Sequence, residues 1–378
     1  MPRQPLFVPV VPDQKQNALY RNASSGRAPA RASLQGAFDR LPNPDGNFVK
    51  DFQTTGFSAR IWELYLAAYV NSIGISLDQP HERPDFLLSK GSQKVWLEAT
   101  TANATEGAPV PAMPATPSNW QQGNAFAIKL GSALFSKLNK RYWELPHVAG
   151  MPLVIALADF HDSDPFRATS GPLTRYLYGT HLQVTSQAGE RIQGTTHPIA
   201  TIRTGRKTIP AHFFSHPDSE HISAVLFSNA GTIAKFDRMA YDPVIYPDMR
   251  MLRWGYAFDS DLAAVAPEPF AYMVGDAPET WGQEAIVFHN PHARHPVPTT
   301  FFEGALQLIW RNDGLLHNRV DFHPLVSLTE TYIGTPAHMA RLEPELRSRA
   351  MKLVLGLHER RPAMEAAILK EHHDWTPD

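Results

Sequence analysis

The chain has 378 residues, of which 43% are hydrophobic and 19% charged, and its formal net charge is −2. It is long enough for a substantial hydrophobic core in one large domain or two ordinary ones. The near-neutral charge excludes nucleic-acid binding through overall positive charge, so phosphate binding needs a local basic patch. The lack of cysteine excludes disulfides and thiolate metal sites. No apolar run reaches 18 residues and no signal-peptide core is evident, so we expect a cytoplasmic protein without a membrane span.

The chain divides into three parts by composition. Residues 1–50 are rich in Pro, Ala, Ser, Arg and Asn and show little periodicity, which predicts an extended or partly ordered N-terminal arm. Residues 51–240 are expected to form an α/β core with an insertion near 160–220. Residues 241–378 predict a C-terminal extension that packs on this core. Its last part, after Thr335, reads as two amphipathic helices that offer a packing or homodimer surface.

The core shows a definite order of predicted elements. Residues 57–73 are apolar nearly all round a helix, which indicates a helix buried on two sides. The elements predicted after it are strands 75–77, 85–89 and 94–100, a helix over 124–143, and strands 151–160 and 221–231. This order predicts an α/β fold with a mixed sheet flanked by helices.

One acid lies within the apolar first helix. Glu63 is surrounded there by Ala, Leu and Val residues, and a carboxylate in apolar surroundings is costly unless it is paired. Two interpretations stay open for it. It forms a salt bridge, with Arg60 or Arg83 as the partner, or it belongs to a functional site.

Two further acids lie in neighbouring strands. Asp85 follows Pro84, which favours an extended backbone and suits the first position of a strand. Glu98 alternates with Trp96 and Thr100, so these three side chains share one face of their strand. Either both acids are solvated on an ordinary hairpin, or they converge to hold a metal ion.

The helix with Glu63, the Pro84-Asp85 pair and the stretch Glu98-Ala99-Thr100 together resemble the PD-(D/E)XK nuclease superfamily, whose fold is restriction-endonuclease-like. The resemblance covers about residues 55–160. It implies that Asp85 and Glu98 bind Mg²⁺ or Mn²⁺ and that Glu63 is an accessory acid. It further implies a nuclease that hydrolyses phosphodiester bonds, with DNA as the expected partner.

The sequence departs from that pattern where the superfamily has a lysine. Thr100 occupies this position, and its hydroxyl could hold a water or a phosphate oxygen but supplies no positive charge. In some members the lysine comes from the following helix instead. Lys137 projects at the edge of the apolar stripe of the helix over 124–143 and is the first candidate, with Lys140 the second.

The same helix carries a basic strip. Lys129, Lys140 and Arg141 accompany Lys137 against a single acid, Glu144. A local strip of this kind could meet a phosphate backbone although the whole chain is near neutral. We therefore expect these three residues to contact nucleic acid.

Two other functions stay open. The chain could be a catalytically inactive nuclease-like module that binds nucleic acid or protein, which Thr100 favours. It could also be an unrelated enzyme with paired carboxylates, such as a glycoside hydrolase. A separate turn after Gly231 places Lys235 and Arg238 at a helix start, where they are either solvated or cradle a phosphate.

Overall fold

The computed structural model describes residues 3–103, 120–160, 170–185, 193–205, 207–261, 264–311, 314–318 and 322–375. The helices are α1 (Ala18–Ser24), α2 (Ala28–Arg40), α3 (Phe48–Gln53), α4 (Phe57–Ser72), α5 (Trp120–Leu138), α6 (Ser170–Tyr178), α7 (Ile233–Ala240) and α8 (Pro336–Asp374). The strands are β1 (Ser76–Asp78), β2 (Phe86–Lys90), β3 (Gln93–Asn103), β4 (Leu153–Phe160), β5 (Thr180–Thr185), β6 (Gln193–Pro198), β7 (Thr201–Thr204), β8 (Lys207–Pro210), β9 (Ala224–Ser228), β10 (Met249–Ala257), β11 (Glu268–Met273), β12 (Ala285–His289), β13 (Leu306–Arg311), β14 (Gly314–Asn318) and β15 (Pro324–Ile333).

A mixed sheet organises the described residues. Its eight strands follow the order β1-β2-β3-β4-β9-β12-β13-β14. The central strands β3, β4 and β9 are parallel, and β1, β2, β12 and β14 each have an antiparallel neighbour. Helices α4 and α7 contribute to the core on one face, and α5 and α6 to the core on the other. The mixed α/β fold with flanking helices is confirmed, and its restriction-endonuclease-like character stays a prediction.

Helix α4 is buried on two sides, as its sequence predicts. Trp62, Leu64, Tyr65 and Leu66 each have no exposed surface. The Trp62 indole N–H donates to the Ala156 carbonyl of β4 at 3.1 Å, which attaches the helix to the middle of the sheet. The helix that carries Glu63 is therefore anchored to the sheet that carries Glu98.

The expectation of an extended N-terminal arm is wrong. Helices α1, α2 and α3 occupy this segment, and Leu6, Leu34, Phe38 and Phe52 are at most 2% exposed within the same core as α4. The apolar residues of this segment are sparse, and several of them are buried, although Leu19 is 53% exposed. Their burial depends on the outer surface of α4, which a local pattern does not reveal.

The expected domain boundary near residue 240 is also wrong. Strands β12, β13 and β14 come from beyond it, yet they complete the main sheet. Strands β11, β10 and β15 form a separate three-stranded sheet. The predicted C-terminal helix pair is a single helix, α8, which buries Leu346 and Ala350 against that small sheet and contains Pro344 and Pro362. No described helix combines the length and the hydrophobicity needed to cross a membrane.

The turn after Gly231 is neither solvated nor free for a phosphate. Lys235 is fully buried, and its ammonium donates to Glu279 at 2.7 Å and to Glu284 at 3.5 Å. Arg238 and Arg253 pair with the same two acids. This buried ion cluster connects α7 to β10 of the small sheet, so its charges are structural.

A pair of leucines tests whether the N-terminal segment belongs to the core. Leu34→Ala should lower the free energy of unfolding by about 2–5 kcal/mol, because it leaves a cavity beneath α4. Leu19→Ala is the matched control, since Leu19 is 53% exposed, and it should change stability by less than about 0.5 kcal/mol. Urea denaturation measures both. Equal midpoints for the two variants would contradict the packing described here.

Candidate active site

The two strand acids meet where the ladder between β2 and β3 ends. The last described pair of that ladder is Phe86 with Leu97. Beyond it, the Asp85 N–H donates to Glu98 Oε2 at 3.2 Å, and the Ala99 N–H donates to Asp85 Oδ2 at 2.7 Å. Each acid thus accepts a backbone hydrogen bond from the other strand. This exchange holds both carboxylates at the point where the strands separate.

Glu98 has two further partners on the next helix and turn. The Lys137 ammonium donates to Glu98 Oε1 at 2.5 Å, and the Tyr142 hydroxyl donates to the same oxygen at 2.7 Å. Glu98 itself is only 4% exposed. Lys137 lies in the last turn of α5, and Tyr142 begins a short 3₁₀ turn that follows Arg141, whose φ is +50°. The left-handed residue redirects the chain so that helix and turn reach the same oxygen.

The carboxylate oxygens keep some capacity for another ligand. Each such oxygen offers about two acceptor positions. Glu98 Oε1 uses both, whereas Glu98 Oε2 and Asp85 Oδ2 each use one. Asp85 Oδ1 accepts no hydrogen bond from the described part of the chain. The free positions therefore belong to Asp85 and to the oxygen of Glu98 that faces it.

Glu63 lies beside this pair but is engaged by an arginine. Both of its oxygens accept from the Arg60 guanidinium, at 3.2 and 3.3 Å. Arg60 also bonds Asp45 at 2.6 Å and Asp51 at 2.8 Å. The salt bridge with Arg60 is thus present, while Arg83 pairs with Glu82 instead. Arg60 ties the end of the N-terminal helical segment to the candidate site.

Burial and like charge make two of these acids weak. The pKa of Asp85 is raised to about 6, first by burial and then by the negative charge of Glu98, and the Ala99 hydrogen bond opposes the shift. Burial raises the pKa of Glu63 to about 7, with Arg60 opposing this and Asp85 adding to it. The site therefore binds protons close to neutral pH. Such protons are the ones that a bound cation would displace.

The number of side chains that could hold a metal ion at this site is small. Across the described ranges, no group of three or more His, Cys, Asp or Glu side chains is arranged to hold a metal ion. Glu63 is therefore not a third ligand in this conformation. A magnesium ion commonly uses only one or two protein carboxylates, with waters in its other positions. Asp85 and Glu98, with their free acceptor positions, fit that pattern.

The basic residues predicted to contact nucleic acid do not all lie on one helix. Helix α5 ends at Leu138, so Lys140 and Arg141 lie beyond it and the predicted basic strip is not on one helix. Arg141 pairs with Glu144 at 2.7 Å and with Asp218 at 2.5 Å. Lys140 is exposed, whereas Lys129 is half-buried.

Thr100 lies two pairs beyond Glu98 on β3, opposite Leu157 of β4. It shares the Glu98 face, as alternation requires. The position that carries a lysine in the resembled superfamily is therefore occupied by a half-buried hydroxyl. The positive charge next to Glu98 comes from Lys137 instead.

The sequence does not predict the contacts that two residues make in this site. Tyr142 follows the helix end in an ordinary-looking stretch, and no local pattern marks its hydroxyl as a partner of Glu98. The sequence predicts Arg60 as one of two salt-bridge partners for Glu63. The additional bonds of Arg60 to Asp45 and Asp51 depend on where α3 packs. Both contacts are decided by tertiary structure.

Comparisons with protein-family models, with curated proteins and with solved structures found no match. The geometry of the site is accordingly the basis on which a function is proposed.

The raised pKa of Asp85 predicts a stability cost at high pH. Between the ordinary value of 3.8 and about 6, the folded state binds more protons than the unfolded state, so the free energy of unfolding falls as pH rises. Asp85→Asn removes this charge, and without metal it should be more stable than wild type by about 1–3 kcal/mol at pH 8. The difference should narrow toward pH 5.

Urea titrations at several pH values measure this effect. Asp78→Asn is the control, because Asp78 is exposed at the end of β1, and it should stay within about 0.5 kcal/mol of wild type throughout. A marked loss of stability in Asp85→Asn at pH 8 would show that the charged Asp85 carboxylate stabilises the fold and does not destabilise it.

Proposed function

We propose that this chain is a metal-dependent nuclease that hydrolyses phosphodiester bonds, with DNA as its substrate and Mg²⁺ or Mn²⁺ as its cofactor. One observation carries the proposal. Asp85, Glu98 and Lys137 come from β2, β3 and α5, and they meet in one hydrogen-bonded group beside Glu63. These are the residue types, in the chain order, that the PD-(D/E)XK resemblance implies.

Asp85 and Glu98 are the residues proposed to hold the cation, through the acceptor positions that they leave free. A hard dication bound there would lower the pKa of a water and stabilise charge on the phosphate oxygens. The exchange of backbone hydrogen bonds between the two acids keeps them in place without a ligand. This preorganisation favours binding, since little conformational entropy is lost when the ligand arrives.

Lys137 supplies the positive charge that Thr100 cannot. In the substrate-free arrangement its ammonium is bonded to Glu98 Oε1. Its flexible stem allows it to turn toward a phosphate, where it would stabilise developing negative charge. The Tyr142 hydroxyl holds the same Glu98 oxygen, so Glu98 keeps its orientation when the lysine leaves. Tyr142 is thus proposed as a positioning residue.

Glu63 is proposed as the accessory acid. A pKa of about 7 suits a group that accepts and returns protons near neutral pH. Its bond to Arg60 aims both oxygens at the guanidinium. Glu63 therefore acts at the edge of the site rather than as a direct ligand of the cation.

A second candidate function is a nuclease-like module that binds nucleic acid or protein without cleaving it. Three observations favour it: a threonine at the lysine position, a Glu98 already bonded to Lys137 and Tyr142, and no three-acid group among the described residues. In that case Asp85 and Glu98 would be structural. The two proposals differ in whether the protein binds a dication.

Calorimetric titration with Mn²⁺ separates the two proposals. A nuclease should show one site that Asp85→Asn and Glu98→Gln each weaken by about tenfold or more, because each removes one of two charged ligands. The affinity should rise with pH through about 6, as Asp85 loses its proton. Asp78→Asn should bind like wild type. Absence of binding heat across this pH range would favour the non-catalytic module.

Plasmid cleavage with Mg²⁺ or Mn²⁺ tests the role of the lysine. Lys137→Met should slow cleavage by about 100-fold or more, since it removes a charge aimed at the transition state, and it should leave Mn²⁺ affinity nearly unchanged. Lys352→Met is the matched control, because Lys352 is an exposed lysine of α8, and it should cut within severalfold of wild type. Equal cleavage by both variants would rule out the role given to Lys137.

A further inference from the structure

Three aromatic rings form a short stack next to the candidate site. The His81 and His147 rings are parallel, with centroids 3.7 Å apart and planes 12° apart. The Trp96 ring packs edge-on against His147 at 5.2 Å, and its indole N–H donates to the His147 carbonyl at 3.0 Å. Trp96 is 2% exposed, while His81 is exposed. The stack thus runs from the core to the surface.

This stack has a defined position relative to the acids. Trp96 and Glu98 are two residues apart on the same face of β3, which is a spacing of about 7 Å. His81 and Asp85 belong to one loop, and the His147 ring bonds the Arg83 carbonyl of that loop at 2.8 Å. Both ends of the stack are therefore connected to the strands that carry Asp85 and Glu98.

The loop of the exposed ring also carries a cation, two residues along the chain from His81. The Arg83 side chain is 59% exposed, and its one ion-pair partner within the described residues is the adjacent Glu82, at 3.4 Å and 87% exposed. A surface pair of this kind contributes little to stability. Burial and Glu98 raise the pKa of Tyr142, while the positive charge of Arg83 lowers it, which places Arg83 within electrostatic reach of the site.

We propose that His81 is a stacking platform for one unpaired nucleobase. Arg83 would contact the phosphate that links this nucleotide to the nucleotide held at Asp85 and Glu98. The inference rests on the proposed function, because it specifies how that site would hold a nucleic-acid strand. Every base has a π-face, so a platform of this kind binds bases with little sequence preference. His147 and Trp96 support His81 from behind and keep its ring in a fixed plane.

A metal site is a poor alternative for these histidines. Face-to-face stacking sets the two ring nitrogens side by side instead of converging them on one point. Within the described ranges, no three metal-ligating side chains gather here or elsewhere. A ring pair with one exposed member, and an exposed arginine in the same loop, matches the flat, negatively charged unit of a nucleotide.

Fluorescence of 2-aminopurine tests the platform. Short single-stranded DNA and RNA oligonucleotides carrying this base at successive positions are mixed with the full chain in EDTA, so that cleavage is prevented. Quenching on binding at one position, with either sugar, supports the platform, because stacking on an aromatic ring quenches this base. His81→Ala should abolish the quenching and weaken binding by about 10–100-fold.

Matched variants separate stacking from folding. His81→Phe keeps an aromatic face and should retain the quenching. His338→Ala, at the exposed start of α8, should behave as wild type. Arg83→Ala should weaken binding and reduce its dependence on salt. Wild-type quenching in His81→Ala, or no quenching at any position with wild type, overturns the inference. Quenching without cleavage under any metal would retain the platform and reject the nuclease.

Discussion

The candidate site depends on one exchange of hydrogen bonds at the end of a strand pair. Asp85 and Glu98 occupy the position where the ladder between β2 and β3 would continue, and each carboxylate accepts a backbone N–H from the opposite strand. An unsatisfied buried N–H is costly, so each acid has a structural reason to stay. The same bonds bring two negative charges together. That proximity, along with burial, raises the pKa of Asp85.

The surrounding charges show how the fold compensates for this arrangement. Lys137 pairs with Glu98, and the single positive charge of Arg60 is shared by Glu63, Asp45 and Asp51. Asp85 has no cation bonded to it in the described residues. A residual negative charge at the centre of a paired set is a condition for binding a cation. The ion cluster around Lys235 differs, because its ammonium uses all of its donors on protein oxygens. It therefore holds elements together and offers nothing to a ligand.

Local patterns predicted the central elements well. The all-round apolar character of 57–73 corresponds to a helix packed between the sheet and the N-terminal helices, and the run of seven consecutive buried residues in β4 corresponds to a central parallel strand. The same reasoning failed for the N-terminal segment and for the boundary near residue 240. Helices α1 to α3 are buried in a core that they share with α4 and α7, and β12 to β14 join the main sheet from far along the chain. Contacts of that kind are non-local, and periodicity contains no information about them.

The available groups can be read from the amino-acid sequence: three acids and a lysine on elements in the right order, a threonine where a lysine is expected, and no cysteine. Which of these groups meet depends on how the elements pack. Packing places Lys137 and Tyr142 on one oxygen of Glu98, pairs Glu63 with Arg60, and pairs Arg141 with Glu144 and Asp218. The physical reason is that a buried charge must find a partner, and the partner is chosen by which elements pack together rather than by distance along the chain.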